Sequence, residues 1–253
     1  MAGNHSRSFT RFIARCNELY TNLQLVDVAI RKITSELSHA QVGNSTIIDT
    51  LGYSAKIYNK LKKPIAEYSA IVSVARSKQS EYAICQVYGY FTHYLRDILG
   101  ELYPYKSYLI SQLTGESISK QQLTFKEIID LRYYDNISKE ILDRVFSSLE
   151  NKRDTKGLIR KIIDSFGIEV EEGTLEKALC YFELRHLLVH NNGCADQKYI
   201  DSFAVYYDSP LEIGRHIPTN HALYKSAQYA IHTLCRIIDN HLVQIINEQQ
   251  VDD

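Results

Sequence analysis

Leu175-Glu-Lys-Ala-Leu-Cys-Tyr-Phe-Glu-Leu-Arg-His-Leu-Leu-Val189 runs without glycine or proline and sets Leu175, Leu179, Phe182 and Leu187 near helical intervals. His190-Asn-Asn-Gly193 follows, and Asn192-Gly193 is a left-handed stop of the kind that ends helices. The stretch reads as one amphipathic helix, with Arg185 a turn before its end and His190 at the end. At about 100° per residue, the step between these two turns through about 140°, so a straight helix sends them to different sides. They converge if the last turn loosens at the cap, or if each meets a partner from a second molecule. A permanently charged guanidinium and an imidazole that titrates near neutrality suit phosphodiester chemistry.

Helical spacing continues on both sides of this run. Residues 6–39 contain no glycine or proline, and Phe12, Ile13, Leu19, Leu23, Val26 and Ile30 fall largely at helical intervals. Gly43-Asn-Ser45 is a break, after which Ser45 or Thr46 can cap a second helix to about residue 61. Pro64 suits the first turn of a third helix ending near residue 77, and the aromatic-rich run 82–99 is a fourth that closes at Gly100. Pro104 restarts the chain for a short helix to about residue 113. Residues 124–131, 137–149 and 155–166 give three more, with Asp135-Asn136 as a break and Gly167 as a stop. Beyond the motif helix, Phe203, Val205 and Tyr207 alternate with small or polar residues ahead of Ser209-Pro210, a hairpin pattern within 202–217. A final helix covers about 220–247. The expected fold is all-α, an up-and-down bundle with extra N-terminal helices and one short β-hairpin before the last helix. Its expected division is an N-terminal helical layer, residues 1–77, and a second helical domain, residues 78–253, or else one fused bundle.

Composition narrows the function classes. Hydrophobic residues make up 45% of the 253, an ordinary globular value. The five cysteines are odd in number and include no Cys-x-x-Cys pair, which points to reduced thiols in a cytoplasmic protein. No N-terminal apolar core resembles a signal peptide, and no run approaches the roughly 18 apolar residues of a membrane span, so no membrane partner is expected. The net charge of −1 gives no overall attraction for nucleic acid, so any RNA affinity rests on local patches. Gly-rich phosphate loops, Gly-x-Ser-x-Gly and His-Glu-x-x-His are absent, which leaves P-loop, serine-hydrolase and zincin chemistry without support.

Arg185-x4-His190, with a polar residue directly after the arginine and the histidine at a helix end, resembles the signature of the HEPN superfamily. These are small all-helical proteins, many of them metal-independent ribonucleases of toxin–antitoxin and antiviral defence systems. His186 fills the polar position, which in the family is often asparagine, so the match is partial there. The helix, its terminal His-Asn-Asn-Gly, the excursion after it and the long closing helix extend the resemblance over roughly residues 76–250. The resemblance implies an HEPN-like bundle acting as an endoribonuclease on RNA, without metal or cofactor. It also implies a homodimer in which two motifs face each other, with a cognate antitoxin or defence-system protein as a further partner. His190 is then the general base or acid for attack by a 2′-hydroxyl, and Arg185 stabilises the crowded phosphorane. His186 is the third catalytic position, supported by Glu183 and Asn191.

Two basic runs offer phosphate contacts: Lys56, Lys60, Lys62 and Lys63, and the strip Lys152, Arg153, Lys156, Arg160 and Lys161. The second precedes the motif helix by one short connection and is the expected RNA-binding strip. A solvated helix face is the more common meaning of such runs. Tyr133-Tyr134 and Tyr206-Tyr207 can stack bases or serve packing. His93 and His232 read as core histidines; His216, His221 and His241 read as surface positions. Two other readings stand beside the ribonuclease. One is a catalytically inactive HEPN-like module that binds nucleotides or a protein. The other is a helical-bundle metalloprotein, suggested by Glu183-x-x-His186 and Glu36-x-x-His39, which lacks the further glutamates a di-iron site needs.

Overall fold

The computed structural model describes residues 5–39, 45–113, 123–151 and 155–251, and among these the chain is all-α with no strand. Helix α1 (Arg7–Ser38) starts where the Ser6 hydroxyl accepts the Phe9 amide at 2.9 Å, and buries Phe12, Cys16, Leu19 and Leu23 along one stripe. Its second half exposes Leu25 and Val28. The expected second helix shrinks to α2 (Ile47–Thr50), because Gly52 turns left-handed at φ +70° directly after it. A 3-10 turn at Asn59–Leu61 is all that remains of the rest.

Helix α3 (Tyr68–Gln112) joins three expected helices into one. Gly100 does not stop it. Ile98, Leu99 and Leu102 around it are fully buried, and its Cα faces Leu142 of α5 (Tyr134–Asn151), so packing outweighs the local preference for a break. Pro104 kinks the helix without ending it, and the backbone leaves helical geometry at Lys106. The short α4 (Phe125–Leu131) opens with a capping box between Thr124 and Glu127. Arg132, at φ 59°, makes the break before α5, ahead of the Asp135-Asn136 position where it was expected. α6 (Thr155–Phe166) ends at Gly167 as its sequence indicates, and α7 (Glu172–His190) follows.

The expected hairpin does not form. Asp196 caps α8 (Gln197–Phe203) by accepting the Tyr199 amide at 2.8 Å, and a 3-10 turn at Ala204–Tyr206 follows. Tyr199 and Phe203 are buried four residues apart on one helical face, which the apparent alternation of residues 203–207 concealed. The Tyr199 hydroxyl donates to the Cys180 carbonyl at 3.1 Å and lies 2.5 Å from that of Tyr207, fastening this segment to α7. The long α9 (His221–Val251) closes the described fold.

α3 runs through the middle, packed by α1, α7 and α9, while α5 and α6 cover one end. Phe91 of α3 stacks on Phe182 of α7 at 4.8 Å, and Phe9 of α1 meets Tyr94 of α3 edge-on at 6.2 Å. α3 passes uninterrupted through residues 77–78, and one buried cluster draws on helices from α1 to α9. Within it, Asp239 of α9 is fully buried and accepts from the backbone and hydroxyl of Ser6 and from His5 Nδ1 at 3.0 Å. These partners offset its desolvation and tie the start of α1 to α9. All five cysteines are free; burial pushes the Cys16 thiol up to about 12 and that of Cys180 up to about 11. Among the described residues no helix is long and apolar enough to cross a membrane.

Candidate active site

α7 is enclosed on several sides, not along a single stripe: Leu175, Ala178, Leu179, Cys180, Tyr181, Phe182, Leu184 and Leu187 are all buried. It emerges in its first turns, at Glu172, Gly173 and Lys177, and again at its C-terminal end, where His186, Val189 and His190 are exposed. The motif side chains thus appear where the core stops. The His186 and His190 rings, one turn apart on the same face, lie 4.7 Å apart between centroids. Arg185 is half-buried and turned toward α3, where its guanidinium sits 4.8 Å over the Tyr88 ring. The helix stays regular to His190, so of the two routes to convergence the loosening of its last turn does not occur, and Arg185 and His190 remain splayed within one chain.

The cap explains why the helix stops there. The amides of Asn191 and Gly193 both donate to the Leu187 carbonyl, at 2.8 and 2.9 Å, while Asn192 and Gly193 turn left-handed at φ 51° and 74°. The Asn191 side chain donates to the Cys194 carbonyl at 2.7 Å, so it serves the cap. Glu183 is half-buried on the same helix. Residues 214–217 return antiparallel to the cap: Ala195 N donates to Arg215 O at 3.0 Å, and Ile217 N to Gly193 O at 2.8 Å. His216 is thereby pressed so close to Gly193 that a Cβ there would stand 2.6 Å from its Nε2.

Glu81 of α3 anchors this return. Its Oε1 lies 3.3 Å from His216 Nε2 and accepts the hydroxyls of Ser77 and Thr219 at 3.2 Å each, while Oε2 pairs with Lys78 at 2.7 Å. Burial raises the Cys85 thiol, one turn along α3, with Arg185 opposing that rise and Glu81 adding to it. Glu81, Cys85 and Tyr88 therefore form one face of α3 turned to the end of α7. Their spacing is helical and visible in the chain, yet only the packing shows what they meet. His216, read from the sequence as a surface position, is a partner in this contact.

No family model, curated protein or solved structure matches this chain. The site accordingly rests on its own geometry.

Of the expected RNA-binding strip, Lys156 and Arg160 are held at the end of α7 away from His190. Lys152 and Arg153 lie outside the described residues. Lys156 pairs with Glu176 at 3.0 Å, and Arg160 with Glu172 and Glu176 at 2.7 and 3.0 Å. These contacts clamp α6 to the first turns of α7. From Glu176 to His190 the helix rises about 1.5 Å per residue, which puts them roughly 21 Å apart. Lys161 is exposed. His93, expected in the core, is exposed as well, whereas His232 is half-buried with its ring 5.7 Å from Phe9. His241 bonds the Phe166 carbonyl at 2.8 Å, capping the end of α6. Among the described residues no three His, Cys, Asp or Glu side chains gather as a metal-ligand set. His39 caps α1 through the Ser35 carbonyl at 2.6 Å.

Proposed function

We propose that this protein is a metal-independent endoribonuclease of HEPN type, a toxin or antiviral defence effector. The observation that carries the reading is the exposed His186–His190 pair at the end of α7, with Arg185 held on Tyr88 beside it. Two imidazoles one turn apart can remove one proton and deliver another at a single phosphodiester. In the proposed reaction neutral His190 takes the proton of the RNA 2′-hydroxyl as its oxygen attacks the adjacent phosphorus. Protonated His186 gives its proton to the departing 5′-oxygen, leaving a 2′,3′-cyclic phosphate. An arginine stabilises the additional negative charge of the phosphorane through its planar fork.

Because Arg185 and His190 splay within one chain, the complete site is proposed to form between two copies, each supplying the arginine that the other's histidines lack. Exposed Val189, beside His190, adds an apolar contact for such a pairing. A cognate antitoxin would cover the same surface. A second reading, a catalytically inactive HEPN-like binding module, is favoured by the ion pairs of Lys156 and Arg160, which engage these cations within the chain.

Cleavage of a fluorophore–quencher RNA in excess chelator separates the two. The enzyme reading expects activity that His186→Ala and His190→Ala each lower by about a hundredfold or more, with folding retained because both side chains are exposed. RNA bound without cleavage, or activity that only a divalent ion restores, decides against it.

A further inference from the structure

A cleft of about 660 Å³ opens between α1, α3 and the start of α9, with no residue of α7 in its walls. That volume is in the range of small-molecule sites, about 300–1,000 Å³. At its mouth Asp27 of α1 holds two guanidiniums side by side. Arg31 Nε reaches one of its oxygens at 2.6 Å, and Arg76 Nη2 reaches the other at 3.3 Å. One carboxylate thus faces two cations, and the local charge is positive. Each guanidinium has several N–H donors; Arg31 gives Asp27 one hydrogen bond and Arg76 a longer ion-pair contact. Both remain open to solvent, with side-chain exposures of 72% for Arg31 and 41% for Arg76. Arg76 Nε is buried without a hydrogen-bond partner, so that guanidinium is under-satisfied as it stands. Deeper in, Ser77 and Thr219 place their hydroxyls 2.7 Å apart and both donate to Glu81, itself paired with Lys78, which leaves their oxygens as acceptors; Ser73 and His221 are also in the walls.

We propose that this cleft binds a phosphomonoester of a small polyhydroxylated molecule. The phosphate lies across Arg31 and Arg76, and the hydroxyl-bearing body faces Ser73, Ser77 and Thr219. Guanidinium forks match phosphate oxygens with parallel hydrogen bonds, and a pair of them supplies more donors than one carboxylate ligand accepts. The excess positive charge at Arg31 and Arg76 disfavours a cationic ligand, and the Ser77 and Thr219 oxygens, whose protons go to Glu81, suit a body whose hydroxyls donate. Nothing in this assignment depends on RNA cleavage.

Isothermal titration of the full chain with ribose 5-phosphate tests it, with ribose and inorganic phosphate as comparison probes. Saturable binding is expected for ribose 5-phosphate, about tenfold or more tighter than for inorganic phosphate, and none for ribose. Arg31→Ala, at a largely exposed position that leaves the helical circular dichroism unchanged, and Arg76→Ala should each weaken binding about tenfold or more, the factor for a lost charge-assisted hydrogen bond. Absence of saturable binding, unchanged affinity in the folded Arg31→Ala protein, or equal affinity for ribose, would overturn the assignment. Equal affinity for inorganic phosphate would overturn its polyhydroxylated part.

Discussion

Arg185 and His190 are five residues apart on a helix that keeps its geometry to the last turn, and this decides their surroundings. His186 and His190 face solvent together, while Arg185 turns inward onto Tyr88. The Tyr88 ring fixes the guanidinium by its π-face, an attraction of about 0.5–2 kcal/mol. Tyr88→Phe keeps that face and is expected to leave kcat/KM for RNA nearly unchanged, whereas Tyr88→Leu is expected to lower it by roughly two- to thirtyfold. Steady-state kinetics on the two variants check this; equal losses would show that the hydroxyl, and not the ring face, matters. The motif was legible because its members are neighbours in the chain. Tyr88 and Glu81 lie about a hundred residues upstream, and nothing in their local spacing names α7 as the element they meet.

At the scale of elements, the end of α7 is shaped by a close approach that only glycine permits. Gly193 has φ 74°, and an added Cβ would stand 2.6 Å from His216 Nε2 and 3.2 Å from Leu188 Cδ2. Gly193→Ala is expected to destabilise the fold by about 1–3 kcal/mol in urea denaturation, combining backbone strain with overlap. In a His216→Ala background the overlap component falls, so the same substitution should cost less; an undiminished cost would contradict the packing described. The glycine stop was readable, since Asn192-Gly193 announces itself locally, as do Ser6, Thr124 and Gly167 at other helix boundaries. Where tertiary packing overrides local preference, the chain carries no local sign of it. Gly100 and Pro104 sit inside α3 because burial of Ile98, Leu99 and Leu102 holds the helix together. The expected hairpin is a capped helix and a turn because Tyr199 and Phe203 find the core at helical spacing.

Across the whole molecule, stability should carry the mark of the half-buried His232. Burial lowers the His232 pKa from its ordinary 6.5, and the charges of Arg236 and His5 lower it further. Above 6.5 the ring is neutral in both folded and unfolded chains, and its contribution to stability is complete. As pH falls below 6.5 the unfolded chain takes up the proton first, so stability is lost until the folded form protonates too. Urea midpoints at pH 8 and 5.5 should therefore differ less for His232→Gln than for the wild type; an equal difference would contradict this. The central claim is that the end of α7 cleaves RNA through its histidines and an arginine. The most direct test is mass spectrometry of the RNA ends formed in excess chelator, comparing an all-ribose strand with one carrying 2′-deoxyribose throughout. The account predicts 2′,3′-cyclic phosphate or 3′-phosphate ends from the first strand and no cleavage of the second. 5′-phosphate ends, or cleavage of the deoxy strand, would contradict it.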